Sequence, residues 1–186
     1  PFGYENWPTM PAVLYLGMIR PLAPLSIAGA LWYQGEANQA KPAQYRTLLP
    51  SMIADWRALF GQGDFPFYIV GLPAFMQRHA RAGESDGWTG VREAQALTAR
   101  SVPNCGLATI VDTGDADNIH PTNKLPVGER LALLALALVA AAACSKPDTS
   151  AADELVREKA ARFFNLAQAE FGNARTALNE VQIVRV

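Results

Sequence analysis

The sequence predicts an α/β fold, a three-layer α/β/α sandwich with a parallel sheet in its middle layer. Short apolar runs that are typical of buried strands alternate with segments that have the apolar periodicity of helices. The strand-like runs are apolar throughout, as in parallel sheets that are covered on both faces. Apolar residues make up 50% of the 186 residues and charged residues 18%, so the chain can form the core of about one domain.

Each predicted element follows from the spacing of apolar residues and from the residues that bound it. The clearest helix covers residues 42–60, where apolar side chains recur at helical spacing until Gly61 ends the pattern. A short helix over residues 11–20 ends at Pro21 and precedes a buried strand over residues 27–33. The other predicted elements are a strand over 65–72, a polar loop over 73–87, a helix over 88–100, a strand over 107–111, a polar loop over 112–124, a helix over 126–139 and a short strand or frayed end over 181–186.

Two polar segments are predicted to meet at one edge of this sheet. Residues 34–38 come directly after the first predicted strand, and residues 112–124 follow the third. The carboxyl ends of parallel strands share one edge, and ligands of open α/β sheets bind beyond that edge. The sequence therefore predicts a functional site that both segments form.

The first polar segment contains groups that suit the stabilisation of an oxyanion. Gln34 can present an amide N–H to an oxyanion, and Gly35 allows a close approach of the backbone. Glu36 and Asn38 are predicted to hold this loop or to contact substrate. The alternative is an ordinary polar turn after a strand.

The second segment contains two of the groups that ester hydrolysis requires. Asp117 precedes His120 by three residues, so its carboxylate can fold back and accept a hydrogen bond from one ring N–H. The other ring nitrogen then stays free to act as the base for a serine. Asp115 is a second candidate for the orienting carboxylate. The alternative is a turn in which Asp117 caps the following segment and His120 is only solvated.

Composition and motif spacing argue against several other functions. The formal net charge of −1, with no basic run, gives no surface for nucleic acid or an anionic membrane. Two cysteines, Cys105 and Cys144, indicate neither a disulfide scaffold nor a zinc site, and Cys105 is expected to be a small buried side chain. The acidic residues from Asp112 onwards do not have the spacing of a calcium-binding loop. His79 is expected to be a loop residue and not a metal ligand. No phosphate-binding or dinucleotide-binding motif occurs, so neither a metal nor a cofactor is predicted.

The C-terminal part of the sequence allows two interpretations. Residues 131–144 are apolar but fall short of the roughly 20 residues that a membrane-spanning helix needs. They fit an alanine-rich buried helix, or the hydrophobic region of a bacterial lipoprotein signal with small residues just before Cys144. Thr149 or Ser150 is predicted to begin a last helix that ends at Gly172.

Several short segments along the chain occur together, in the same order, in one known family. They are Met18-Ile19-Arg20-Pro21-Leu22, Leu31-Trp32-Tyr33-Gln34-Gly35-Glu36-Ala37-Asn38, Tyr45-Arg46, Asp55-Trp56-Arg57, Gly63-Asp64-Phe65-Pro66-Phe67-Tyr68, Arg92-Glu93-Ala94-Gln95, Asp117-Asn118-Ile119-His120-Pro121 and Gly128-Glu129-Arg130-Leu131-Ala132. Jointly they resemble the bacterial sialate O-acetylesterases, a branch of the SGNH hydrolases, over roughly residues 7–137.

This resemblance implies the removal of acetyl groups from sugars by a Ser-His-Asp mechanism on an SGNH-type α/β/α sandwich. It implies that His120 is the general base, that Asp117 orients it and that Gln34 is the side-chain oxyanion donor. Gly35 and Glu36 belong to the same loop in the family. The expected partner is an acetylated sugar, and the expected location is periplasmic or secreted, although no signal peptide is visible at the N-terminus.

The sequence departs from the family at the nucleophile. Family members carry the serine in a Gly-Gln-Ser-Asn motif after the first strand, and this motif does not occur here. Ser26 precedes a strand and Ser51 lies within a helix, so neither is well placed. Residues 1–140 are therefore expected to be the C-terminal part of an esterase domain that lacks its N-terminal strand or strands, with an upstream half-domain as a candidate partner. Residues 141–186 are expected to be a linker and an amphipathic helical tail.

Two other functions fit parts of the sequence. A non-catalytic carbohydrate-binding remnant would keep the polar rim around Gln34 and would lose the chemistry. A lipoprotein-like fusion would place the function in the tail, and residues 128–186 would then be foreign to the esterase segment. In the leading interpretation the chain alone is inactive because it has no nucleophile.

Overall fold

The computed structural model describes residues 10–77, 80–81, 86–144 and 181–185. Its regular elements, in chain order, are β1 (Ile27–Trp32), α1 (Pro42–Phe60), β2 (Phe67–Val70), α2 (Gly87–Ser101), β3 (Cys105–Ala108), α3 (Leu125–Cys144) and β4 (Val181–Arg185). The strands form one sheet in the order β3-β2-β1-β4, in which β1, β2 and β3 run parallel.

Side chains of the central strand β2 alternate between two cores, one on each face of the sheet. Phe67 and Ile69 pack with buried residues of α1 and α2 in one cluster. Tyr68 and Val70 pack in a second cluster, which includes Leu131 of α3. Two helices on one face and one on the other make three layers, which confirms the predicted α/β/α sandwich with a parallel sheet.

The predicted helix over residues 42–60 has the same bounds as α1. Pro42 lies in the first turn, where its missing N–H removes no helical hydrogen bond, and Gly61 takes the left-handed conformation at the end with φ of 62°. β2 is shorter than the predicted strand over residues 65–72, whereas β3 begins two residues before the predicted strand over 107–111 and ends three residues before it. Leu72 and Ile110 are buried beyond them, because a side chain can be buried where the backbone no longer pairs with a neighbouring strand.

The predicted helix over residues 11–20 is an irregular helical segment in the structure. A π-helical turn, Tyr15–Ile19, is followed directly by a 3-10 turn, Arg20–Leu22. Pro21 lies at the start of the 3-10 turn and does not end the helix. Met18 is exposed, so this segment has no fully packed apolar face to impose regular α-helical geometry.

The sheet departs from a purely parallel arrangement at β4, which pairs antiparallel with β1 and places Val181 opposite Trp32. α3 extends beyond its predicted end and reaches Cys144. Within the described residues, no helix combines the length and the apolarity needed to cross a membrane. The helix predicted between residues 149 and 172, and His79, lie outside the described residues.

Candidate active site

Three loops leave the carboxyl ends of the parallel strands and lie side by side at one edge of the sheet. The loop after β3 contacts the loop after β2, since the backbone N–H of Met76 donates to the carbonyl of Ala116 at 3.1 Å. It also contacts the end of β1, where Nζ of Lys124 donates to the Tyr33 hydroxyl at 3.4 Å. The two polar segments that were predicted to form a site therefore lie on adjoining loops.

The carboxamide of Gln34 is held on both of its sides. Its Nε2 donates to Oδ1 of Asn38 at 2.7 Å, and its Oε1 accepts from the Tyr45 hydroxyl at 3.3 Å. The Tyr45 hydroxyl in turn accepts from the indole N–H of Trp32 at 3.2 Å. Because Nε2 carries two hydrogens, its single bond among the described residues leaves one N–H for a ligand.

Gly35 lets the loop after β1 pass very close to α2. It is buried, and its φ of 153° lies in the region that side chains disfavour. A Cβ at this position would lie 2.8 Å from Cγ1 of Val91 and 3.3 Å from Nε2 of Gln95. The close approach that the sequence predicted is therefore made to α2.

Glu36 brings a negative charge to the same loop, at the start of the 3-10 turn Glu36–Asn38. Its Oε2 is buried and has no hydrogen-bond partner among the described residues. Burial raises the pKa of Tyr33, and the charge of Glu36 raises it further. Burial lowers the pKa of Lys124, and Glu36 opposes that effect. Glu36 thus interacts electrostatically with the end of β1 and with the loop after β3.

Two short turns shape the loop that carries Asp117 and His120. Oδ1 of Asp115 accepts from the backbone N–H of Asp117 at 2.9 Å, and Oδ1 of Asn118 accepts from the backbone N–H of His120 at 2.9 Å. Pro121 is buried directly after His120 and anchors the loop. The backbone position of His120 is thus restrained on both sides.

The side chains of Asp117 and His120 are less restrained than their backbone. Both residues are exposed, and within the described part of the chain neither side chain makes a hydrogen bond or an ion pair. The expected bond between them is therefore not formed in this structure. Asp115, the second candidate for the orienting acid, uses its carboxylate in the turn. The catalytic roles of all three residues stay predictions.

The start of the loop after β3 is fixed to α3 by an ion pair with two contacts. Arg130 donates to both carboxylate oxygens of Asp112, at 2.5 and 2.6 Å, and to the carbonyl of Thr109 at 2.7 Å. Hydrogen bonding to Arg130 lowers the pKa of the Asp112 carboxyl. No three His, Cys, Asp or Glu side chains in the described ranges are grouped so that they could hold a metal ion.

The described serines lie away from these loops. Ser26 precedes β1 and is therefore at the opposite edge of the sheet. Ser51 lies within α1, where its hydroxyl donates to the carbonyl of Thr47 at 2.9 Å. Ser101 is the exposed last residue of α2. None of these three hydroxyls is on a loop that carries Gln34 or His120.

Three residues that the sequence did not predict as site residues support these loops: Tyr45, Gln95 and Lys124. Gln95 is fully buried on α2, and its Nε2 donates to the carbonyl of Gln34 at 3.0 Å. A buried polar side chain needs a partner. The sequence feature that could have identified Gln95 is therefore a single amide on the apolar face of a helix, beside buried Ala94.

Comparisons with known proteins agree with the family resemblance. The sequence model of the family described as "Carbohydrate esterase, sialic acid-specific acetylesterase" matches residues 5–137. The sialate O-acetylesterases of Homo sapiens and Mus musculus are 32% identical over 155 residues and 36% identical over 149 residues, respectively. These alignments cover 74% and 70% of this chain, but 29% and 27% of the relatives.

A solved structure also matches. The crystal structure of a carbohydrate acetylesterase from Xanthomonas citri is 41% identical in sequence, with a TM-score of 0.60. The match covers 68% of this chain and 29% of that chain, so this chain spans less than a third of the length of these relatives. The family match includes both polar segments of the sheet edge. The chain therefore belongs to the carbohydrate esterase family of sialic acid-specific acetylesterases.

Proposed function

We propose that this chain supplies the base, the orienting acid and one oxyanion donor of a carbohydrate O-acetylesterase. His120 is the general base in this proposal, Asp117 orients its ring and Gln34 stabilises the oxyanion. The observation that carries the proposal is the restrained carboxamide of Gln34, on a loop adjoining the His120 loop in a member of this family. An amide that is fixed before the reaction is the kind of donor that an oxyanion requires.

The reaction would begin when the unprotonated ring nitrogen of His120 accepts the proton of a serine hydroxyl. The serine oxygen would attack the acetyl carbon, and the charge that develops on the carbonyl oxygen would be stabilised by the N–H of Gln34. Collapse of this intermediate would release the sugar hydroxyl, which takes its proton from His120. Water would then hydrolyse the acetyl-serine by the same route and release acetate.

Asp117 would bond to the ring of His120 when substrate closes the exposed loop, since catalytic hydrogen bonds often tighten only in the bound state. We assign the nucleophile to a serine in a segment outside these 186 residues, because the family's serine motif does not occur in them. The chain alone would then be inactive. The proposed substrate is an acetylated sugar, and the proposed location is the periplasm or the cell exterior.

Hydrolysis of p-nitrophenyl acetate tests this function, first with the chain alone and then with a serine-bearing segment supplied. We expect turnover only in the second case. His120→Ala should lower kcat about 10²–10⁴-fold, and Gln34→Ala about 10²–10³-fold. Asp115→Asn is the comparison on the same loop, because it removes a carboxylate but keeps an Oδ1 that can accept from Asp117. A loss of activity in this variant would give the orienting role to Asp115 in place of Asp117.

Two results would contradict this assignment. Serine-dependent turnover by the chain alone would show that the nucleophile lies within it. Sugar binding by the assembled protein without hydrolysis, and unchanged in His120→Ala, would indicate a carbohydrate-binding module in place of an esterase.

A further inference from the structure

The side chain of Gln95 joins two of the loops at the functional edge of the sheet. Its Nε2 donates to the carbonyl of Gln34 at 3.0 Å and to the carbonyl of Val70 at 3.4 Å. Its Oε1 accepts from the backbone N–H of Leu72 at 3.1 Å. One carboxamide on α2 therefore connects the backbone after β1 with the backbone at the end of β2.

The position of Gln95 is unusual for its chemistry. The side chain is 0% exposed, and its helical neighbours Val91 and Ala94 are buried and apolar. A buried amide is tolerated only when its hydrogen bonds are made, and an apolar side chain of similar size would fill the same space without that requirement. The bonds of Gln95 go to the backbone of Gln34 and Leu72 in the loops after β1 and β2 and to the backbone of Val70 at the end of β2, so they fix the two loops relative to the sheet.

The loop after β1 packs directly against the carboxamide of Gln95. A Cβ on Gly35 would lie only 3.3 Å from Nε2 of Gln95, so glycine permits the contact. The Tyr45 hydroxyl lies 3.1 Å from the same carbonyl oxygen of Gln34 and 3.3 Å from Oε1 of that residue, so its single hydrogen is shared between these two acceptors. Two buried donors from two different helices thus converge on the backbone of the residue that we assign as the oxyanion donor.

We propose that Gln95 is a positioning residue that orients the amide of Gln34. This inference rests on the proposed function, because it gives Gln95 a role through the oxyanion donor. Gln95 holds the peptide unit of Gln34, and Asn38 and Tyr45 then set the direction of its side chain. Stabilisation of an oxyanion depends on such fixed donors, so the effect of Gln95 falls on the chemical step.

Gln95→Met is the test variant, because methionine has similar length and volume and cannot make these hydrogen bonds. Thr98→Ala is the matched control. Thr98 is 2% exposed and lies on the same helix, but its hydroxyl donates to the carbonyl of Ala94 within that helix. Both substitutions remove a buried polar group from α2, and only the first removes a bond to the Gln34 loop.

Hydrogen exchange in the 186-residue chain tests the positioning without any need for activity. The N–H groups of Asn38 and Lys41 bond to the carbonyls of Gly35 and Asn38, so they report on the loop. We expect Gln95→Met to speed their exchange about tenfold, which corresponds to about 1.4 kcal/mol, and Thr98→Ala to leave it unchanged. Unchanged exchange in Gln95→Met, or an equal increase in both variants, would overturn the proposal.

A double-mutant cycle in the assembled esterase tests the route through Gln34. Gln95→Met should lower kcat about tenfold with little change in KM, and it should have no further effect when Gln34→Ala is already present. If the two effects multiply, Gln95 supports only the fold and the proposal is wrong. If the assembled protein hydrolyses no acetyl ester, the proposed function fails, and the exchange experiment alone decides whether Gln95 fixes the loop.

Discussion

The ammonium group of Lys124 lies 4.8 Å from the centre of the Tyr33 ring, above its face. Lys124 ends the loop that carries His120, and Tyr33 directly follows β1. This contact therefore joins the loop of the proposed base to the loop of the proposed oxyanion donor. A cation over an aromatic face contributes roughly 0.5–2 kcal/mol, depending on its burial.

Lys124→Met should loosen this junction, because methionine keeps the length of the side chain and loses its charge. We expect a decrease of about 1 kcal/mol in the free energy of unfolding, measured by urea denaturation. Tyr33→Phe is the informative comparison, since it keeps the ring and removes only the hydroxyl that accepts from Lys124. An equal loss in both variants would assign the effect to the hydrogen bond, against this prediction.

Arg57 should be a determinant of stability at the opposite edge of the sheet. Its side chain is 8% exposed, and its Nη2 donates to the carbonyls of Phe65 at 2.9 Å and Pro103 at 2.7 Å. Arg57→Leu should lower the free energy of unfolding by about 1–3 kcal/mol, because it leaves the buried carbonyl of Phe65 and the part-buried carbonyl of Pro103 without this donor. Guanidinium denaturation followed by circular dichroism measures this change.

Arg46→Ala is the control for that measurement on the same helix. Arg46 pairs with Glu93 at 2.8 Å, but the two side chains are 52% and 63% exposed. An exposed ion pair contributes at most about 1 kcal/mol. If Arg46→Ala destabilised the chain as much as Arg57→Leu, the importance given to the buried guanidinium would be wrong.

Gly35→Ala should damage both the fold and the proposed site. Alanine at this position would have to adopt a φ of 153°, and its Cβ would lie 2.8 Å from Cγ1 of Val91. Strain and overpacking together should lower the free energy of unfolding by about 3 kcal/mol. Gly17→Ala is the control, since a Cβ there has no atom within 4 Å and no positive φ, and we expect its effect to be small. Thermal unfolding of both variants compares them, and similar melting temperatures would refute the prediction.

Cys105 should make the chain less stable in alkali. Burial raises the pKa of its thiol from 9.0 to about 11, against the opposing charge of Arg57. The folded state therefore holds this proton more tightly than the unfolded state. Its contribution to stability is complete below pH 9 and is lost as the pH rises towards about 11.

Cys105→Ala removes this effect together with the smaller part of the raised pKa of Tyr68 that comes from the charge of Cys105, while the burial that raises the pKa of Tyr68 is present in both proteins. We expect the wild-type chain to lose more of its free energy of unfolding between pH 9 and about pH 11 than the variant does. Urea denaturation across that range measures both curves. Parallel curves would mean that the thiol does not titrate differently in the folded state.

The features that could be predicted are those that depend on residues close together in the sequence. The bounds of α1 follow from Pro42 and Gly61, which act locally at the two ends of the helix. The two polar segments were found because each follows an apolar strand. Gln95 could not be found in this way, because its partner Gln34 is 61 residues away and the bond exists only after the sheet has formed.

The expected hydrogen bond between Asp117 and His120 shows what the spacing of residues in a sequence cannot predict. A separation of three residues permits the contact, but Asp115 and Asn118 form turns with the intervening backbone and leave both functional side chains exposed. The pattern thus locates the candidate residues and does not determine their rotamers. Local sequence does not distinguish a strand from a frayed end over residues 181–186, because the pairing of β4 with β1 depends on a partner about 150 positions earlier in the chain.

The position of β4 has a consequence for the association state of the molecule. β4 occupies the side of β1 that does not face β2, with Ile183 opposite Ala30. Without it, the amide and carbonyl groups along that side would be open to strands of other molecules. A chain that ends at residue 144, or one with Ile183→Pro, should therefore form dimers or larger species in light scattering, whereas the intact chain should stay monomeric. β4 would then protect this edge of the sheet against self-association, and a monomeric truncated chain would exclude that role.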